Sequence, residues 1–200
     1  MQTFIDHARG FSDRIANRSE ERAEFARLAA GQSPQALFIT CSDSRVIPSL
    51  FTGARPGELF ELRTAGNAVP PHRAGQAPSS EAATIEYAMR VLGIRDIVVC
   101  GHSHCGAVGA VARGDDLGGV PAVRDWLTEQ IPDELPDDDG PAVTAAVQRH
   151  VREQLERLRG YPCVRERLAE RKLRLHGWFY EIDTGLVLAH QSSVDAFLPL

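Results

Sequence analysis

Apolar positions along this chain fall into two patterns, short unbroken runs and stripes at helical spacing. "ALFITCS" (36–42), entered after Pro34, is a continuous run of the kind a strand shows when a parallel sheet covers it on both faces. "DIVVC" (96–100) repeats that pattern, and "ELFELRTAG" (58–66) alternates well enough to be a neighbouring strand. Between the latter two, "SSEAATIEYAMRVLG" (79–93) spaces Ala82, Ile85, Ala88, Met89 and Leu92 as a helix does, with Ser80 as N-cap, Glu81 in the first turn and Gly93 at the stop. Strand, helix and strand in this order predict a parallel sheet with right-handed crossovers.

The flanking segments fill in the rest. The first thirty or so residues read as helix on a loose stripe of Phe4, Ile5, Phe11, Ile15, Phe25 and Leu28. From Arg113 to about Ala142, Gly, Pro and Asp accumulate, as in "RGDDLGGVP" and "IPDELPDDDGP", which predicts irregular connections around a short helix at Trp126. "AAVQRHVREQLERLRGYP" returns to helix, and "RLHGWFYEIDTGLVLAH" (174–190) reads as two strands hinged at Asp183-Thr184-Gly185. The expected fold is therefore a three-layer α/β/α sandwich, its central sheet mostly parallel with an antiparallel edge strand from a C-terminal hairpin.

Composition narrows what this fold can be for. With 200 residues, 43% hydrophobic and 24% charged, the chain reads as one domain, 1–200, able to bury a sizeable core. Its net charge of −5 comes without a basic block, which argues against nucleic acid as a partner. The opening "MQTFIDHARGFSDRIANRSE" has scattered charges and no apolar core of signal-peptide length, and no stretch approaches a membrane span, so a cytoplasmic protein is expected.

Two of the apolar runs end on unusual polar clusters, "CSDSR" (41–45) and "CGHSHCGA" (100–107). At the carboxyl ends of parallel strands they would meet at one sheet edge, where open α/β folds place their sites. Cys41, His102 and Cys105 together offer two thiolates and an imidazole, donors that suit zinc, and three protein ligands leave a fourth position open, as catalytic zinc requires. Two thiolates also cancel the charge of the dication. Either cluster alone is ordinary, since a buried thiol beside a histidine, or an Asp and Arg two residues apart, needs no ligand to explain it. Cys100, alternating inward with Val98, and Cys163, in "GYPCVRERL", read as structural thiols.

The blocks "GQSPQALFITCSDSRV", "GELFELRTAGNAVPP", "SSEAATIEYAMRVLGI", "IVVCGHSHCGAV", "VREQLERLRGYPCV" and "LHGWFYEIDTGLV" resemble, in order, those of the β-class carbonic anhydrases. The resemblance implies a zinc-dependent lyase, a carbonate dehydratase that reversibly hydrates carbon dioxide to bicarbonate and a proton. It implies Zn2+ on Cys41, His102 and Cys105, with Asp43 and Arg45 as the catalytic dyad. Gln32, Phe60, Ala65 and Tyr87 would line the substrate pocket, partly across a dimer interface. Residues 1–34 would be a helical arm packing on the partner subunit of a homodimer or dimer-based tetramer. His104 and His150 depart from the family pattern, His150 standing where Asn is common.

Phe38 stands where a bicarbonate-gated branch carries Trp, and Gln32 matches the plant-like branch whose site rests open. Arg63 and Tyr180 look like the remaining members of the gating site. The alternative activity on this scaffold is hydrolysis of carbon disulfide or carbonyl sulfide. A cysteine phosphatase would need a longer loop between Cys41 and Arg45, and a structural zinc or redox module a fourth ligand or a CxxC pair.

Overall fold

A computed structural model describes residues 1–75, 77, 79–131, 140 and 143–200 of the chain. Helices α1 (Gln2–Ala16) and α2 (Ser19–Leu28) precede β1 (Ala36–Cys41), α3 (Pro48–Thr52), β2 (Leu59–Thr64), α4 (Ser80–Glu86) and β3 (Asp96–His102). Helices α5 (Gly106–Ala112), α6 (Pro121–Gln130), α7 (Thr144–Arg159) and α8 (Pro162–Ala169) then lead to β4 (Arg174–Tyr180), β5 (Val187–Gln191) and β6 (Ala196–Pro199).

The six strands form one sheet in the order β2-β1-β3-β4-β5-β6, parallel through β4 and antiparallel beyond it. The chain leaves β1 towards β2 on one side and returns as β3 on the other. That reversal opens a crevice between the carboxyl ends of β1 and β3, the usual place for a site in an open α/β sheet.

The period of two along each strand sorts side chains between unequal faces. Leu37 and Ile39 of β1 and Ile97 and Val99 of β3 join the main core, with Ile85, Val108, Leu127, Val147, Val151 and Leu158 from the helices. Phe38, Val98 and Cys100 point the other way into a small cluster closed by Phe51 of α3, Trp178 and Tyr180. Helix α7 lies so close to β3 that a Cβ on Gly101 would run into Val147 and Val151, so only glycine fits there.

Several local expectations are corrected. The N-terminal helical region is two helices, broken at Asn17 and Arg18. Ser79 rather than Ser80 caps α4, its hydroxyl accepting from the Ala82 N–H at 3.2 Å, and a π turn at Tyr87–Val91 widens what read as uniform helix. β3 runs two residues beyond Cys100, so His102 sits on the strand itself. The hairpin forms as expected, and β6 adds a second antiparallel strand. Helix α6 covers Trp126, whereas most of "IPDELPDDDGP" lies outside the described residues. Among the described residues, no helix is long and apolar enough to cross a membrane.

Candidate metal centre

Each of three donors is delivered by the end of an element. Cys41 closes β1, His102 closes β3, and Cys105 is the residue before α5 begins. Their ligand atoms lie within 4.8 Å of one another, and the three residues are 6%, 0% and 1% exposed.

His102 shows most directly what the cluster is built for. Its Nδ1 lies 2.8 Å from the Ser103 carbonyl oxygen, which can only accept, so Nδ1 carries the proton and Nε2 presents a lone pair. That Nε2 is buried and has no hydrogen-bond partner. An unpaired buried acceptor costs about 1–3 kcal/mol, so a fold keeps one where something else completes it. A cation of borderline softness fits: the imidazole is in the ligand tautomer, and two sulfurs face the same point.

A hydrogen bond between the two thiols pushes them in opposite directions. The interaction with Cys105 holds the Cys41 thiol down at about 4 against the opposing effect of burial, helped by the neighbouring His102 side chain and then by the backbone of Asp43 and Gly66. The same hydrogen bond, followed by burial, raises the Cys105 thiol well above its ordinary value. A divalent cation would favour both as thiolates, which together neutralise it.

Beside the donors, Asp43 is gripped by Arg45 along both carboxylate oxygens, Nε to Oδ1 at 3.0 Å and Nη2 to Oδ2 at 2.7 Å, with the Arg45 N–H donating to Oδ1 at 2.9 Å. The side-chain bonds from Arg45 hold the Asp43 carboxyl at about 2, so it is ionised at any cellular pH. Asp43 Oδ2 stands 4.0 Å from His102 Nε2. Arg45 Nη2 also donates to the His104 carbonyl at 3.1 Å, tying the first cluster to the second. His104 itself turns outward in a left-handed conformation, its Nε2 2.7 Å from Asp183 Oδ2.

Arg63 and Tyr180 are committed elsewhere. Arg63 Nη2 donates to the carbonyls of Cys41, Asp43 and Val46 at 2.9, 3.0 and 2.8 Å, clamping the turn that carries the dyad. Tyr180 stacks on Phe51 at 4.6 Å between ring centroids.

A third segment completes the wall. After β2 the backbone makes a tight turn at Ala65–Asn67, with Gly66 left-handed at φ 73° and a Cβ there only 3.2 Å from that of Ala107. Helix α7 holds this turn through His150, whose Nε2 donates to the Gly66 carbonyl at 2.8 Å, and Gln154, whose Oε1 accepts from the Val69 N–H at 2.8 Å. Burial pushes His150 down to about 4, so it works as a neutral donor. Trp126 Nε1 donates to the Ala65 carbonyl at 3.0 Å. Sequence reasoning noted His150 as a departure and Trp126 as a helix centre, and missed that both reach this turn.

The remaining candidates divide. Phe60 and Tyr87 pair, ring centroids 6.0 Å apart, and Ala65 is exposed beside Gly66. Gln32 instead lines a hollow of about 220 Å³ with Glu24, Arg27, Leu28 and Arg55, none of them in the metal cluster. Cys100 and Cys163 are buried in the packing, and burial raises both thiols.

Comparison with known proteins agrees in sequence and in shape. Residues 36–187 match the family model described as carbonic anhydrase. A carbonic anhydrase of Pseudomonas aeruginosa is 44% identical over 182 residues, covering 88% of this chain and 82% of that one. Carbonic anhydrase 1 of Escherichia coli O157:H7 is 42% identical, covering 90% and 84%. The solved β-carbonic anhydrase CcaA superimposes with a TM-score of 0.89 at 39% identity, covering 100% of this chain and 99% of that one. A tetrameric β-carbonic anhydrase of Sordaria macrospora gives 0.78 at 30% identity, covering 94% and 97%.

Proposed function

The chain belongs to the β-class carbonic anhydrases, zinc lyases that interconvert carbon dioxide and bicarbonate, and on that premise we propose that Cys41, His102 and Cys105 hold its zinc while Asp43 and Arg45 orient the reacting water. The observation that carries this assignment is the buried, unpartnered Nε2 of His102 among two thiols.

Zinc, when bound, supplies a Lewis acid that lowers the pKa of water from 15.7 towards roughly 7. The protein supplies direction. Asp43 Oδ2, ionised and fixed by Arg45, accepts a hydrogen bond from the hydroxyl of the nucleophile and so aims its lone pair at the carbon of carbon dioxide. Phe60, Ala65 and Tyr87 give the uncharged substrate an apolar wall. A stopped-flow assay of the zinc-loaded protein should show chelator-sensitive hydration of carbon dioxide and little turnover of carbon disulfide; the reverse preference would assign the alternative chemistry.

The site is proposed to rest open. Asp43 is already paired with Arg45, Phe38 has no indole N–H to offer an anion, and Arg63 is spent on three carbonyls.

The domain 1–200 is further proposed to act as a homodimer or a tetramer of dimers, with residues 1–34 as an arm on the partner. Helix α1 buries none of its residues, and Phe4, Ile5 and Phe11 stand exposed on it. Among the described residues strand β2 forms a sheet edge, and Gln32 lines a hollow outside the metal cluster, as a residue contributed to a partner's pocket would. Analytical ultracentrifugation should find a dimer or larger, and removal of residues 1–34 should dissociate it; a fully active monomer would refute the shared pocket. All four cysteines are free, which fits a reducing cytoplasm, and fractionation placing the protein elsewhere would count against that location.

A further inference from the structure

We propose that the hollow between the carboxyl end of α8 and the amino ends of β3 and β4 is a binding site for a small polyvalent phosphate, held by Arg95, Arg167 and Arg171. The inference is independent of the metal assignment, because this hollow lies at the opposite edge of the sheet from the three clustered donors. Arg95 precedes β3 and His102 closes it, so the two ends stand roughly 20 Å apart along the strand.

Five cations line a volume of about 630 Å³, Arg95, Arg167, Arg171, Lys172 and Arg174, besides Gly93 and Leu173, and no carboxylate is among the lining residues. The chain as a whole carries 27 acidic and 22 basic residues, so five cations around one space run against its composition. The carboxyl end of a helix favours basic side chains, which accounts for Arg167, Arg171 and Lys172 at the end of α8. It does not account for Arg95 and Arg174, which arrive from the strands.

The five are not equally engaged. Arg174 grips Asp96, Nε to Oδ1 and Nη2 to Oδ2, both at 2.8 Å, and Lys172 Nζ stands 2.9 Å from a Glu170 oxygen. Glu166, further back on α8, is taken by Arg90 at 3.1 Å. Among the described residues, Arg95, Arg167 and Arg171 form no ion pair with a carboxylate. Arg167 is nevertheless fixed, its Nη2 donating to the carbonyls of Gly93 at 3.0 Å and Ile94 at 3.1 Å, while its Nε is buried and has no partner. An unpaired buried donor on a charged group is costly, which points to an acceptor that completes it. Arg171, left-handed at φ 55°, turns the chain out of α8, held by its N–H on the Leu168 carbonyl at 3.0 Å.

The lining names the ligand class. Guanidinium forks match phosphoryl oxygens and keep their charge at any cellular pH. Three cations without a carboxylate call for a multiply charged anion. No aromatic ring lines the hollow, so a flat base gains nothing there. The ligand is therefore a phosphate chain recognised by its charge, with pyrophosphate as the simplest probe.

Calorimetric titration of the zinc-loaded full chain with inorganic pyrophosphate, at about 0.15 M ionic strength to screen diffuse surface fields, should find one site per chain. Arg95→Gln and Arg171→Gln, both at exposed positions, should each weaken binding about 10-fold or more, the loss expected of one charge-assisted bond, with zinc content and hydration rate unchanged. Arg9→Gln, on α1 and far from the hollow in sequence, should bind as wild type. Adenosine triphosphate should bind no more tightly than inorganic tripolyphosphate. Absence of binding, undiminished binding in the Arg95→Gln, Arg171→Gln double variant, or equal weakening by Arg9→Gln would each overturn the site. Tighter binding of the nucleotide than of tripolyphosphate would overturn the ligand class.

Discussion

Asp43→Ala is expected to keep its fold and its zinc while losing on the order of 100-fold or more of its carbon dioxide hydration, the range that a positioned proton partner contributes. The structure separates these two properties. Asp43 is not among the three clustered donors, and its oxygen stands 4.0 Å from His102 Nε2, too far for a bond to it. Its carboxylate is instead fixed by Arg45 and ionised, with Oδ2 still able to accept a further hydrogen bond. Removing it should lower kcat with little change in zinc content, whereas Arg45→Ala should give a milder loss, because the carboxylate survives but is no longer aimed. Zinc content measured beside stopped-flow rates checks this, and wild-type rates in Asp43→Ala would remove the dyad from the mechanism.

The larger effect is expected from His102→Ala, which should cost the chain its zinc and reduce hydration to the background rate. Loss of an outer hydrogen-bond partner costs 10–100-fold in metal affinity by rough precedent, and loss of a direct donor costs more. Two thiols alone would remain, Cys41 lowered and Cys105 raised by their mutual hydrogen bond. His102 is fully buried, so the substitution also leaves a cavity, and circular dichroism must accompany the measurement. Elemental analysis finding stoichiometric zinc in folded His102→Ala would remove His102 from the ligand set.

Much of the scaffold was legible because parallel strands buried on both faces carry continuous apolar runs, as 36–41 and 96–100 do. The clusters at their ends stood out for the same reason: polar groups at the end of a buried strand need a purpose. Features set by single local interactions were harder to read. Ser79 and Ser80 are equivalent by composition, and only the 3.2 Å bond to Ala82 decides between them. Strand β6 is four residues long and, among the described residues, pairs with β5 alone, so its pattern is too short to stand out. Least visible were contacts between distant segments. His150 lies 84 positions from Gly66, and Trp126 lies 61 from Ala65, so no periodicity links them. Gln32 shows the opposite limit: family resemblance places it in the pocket, but within one chain it lines a separate hollow.

The central claim is that three donors from two strand ends and a helix start hold zinc while Asp43 stays with Arg45. A crystal structure of the zinc-loaded protein near pH 7, with diffraction recorded across the zinc absorption edge, tests it most directly. The account predicts one anomalous peak per chain bonded to Cys41 Sγ, Cys105 Sγ and His102 Nε2, at roughly 2.3 Å for sulfur and 2.0–2.1 Å for nitrogen, with a non-protein ligand in fourth place and Asp43 on Arg45. Zinc bound elsewhere, or the Asp43 carboxylate occupying the fourth position, would contradict it.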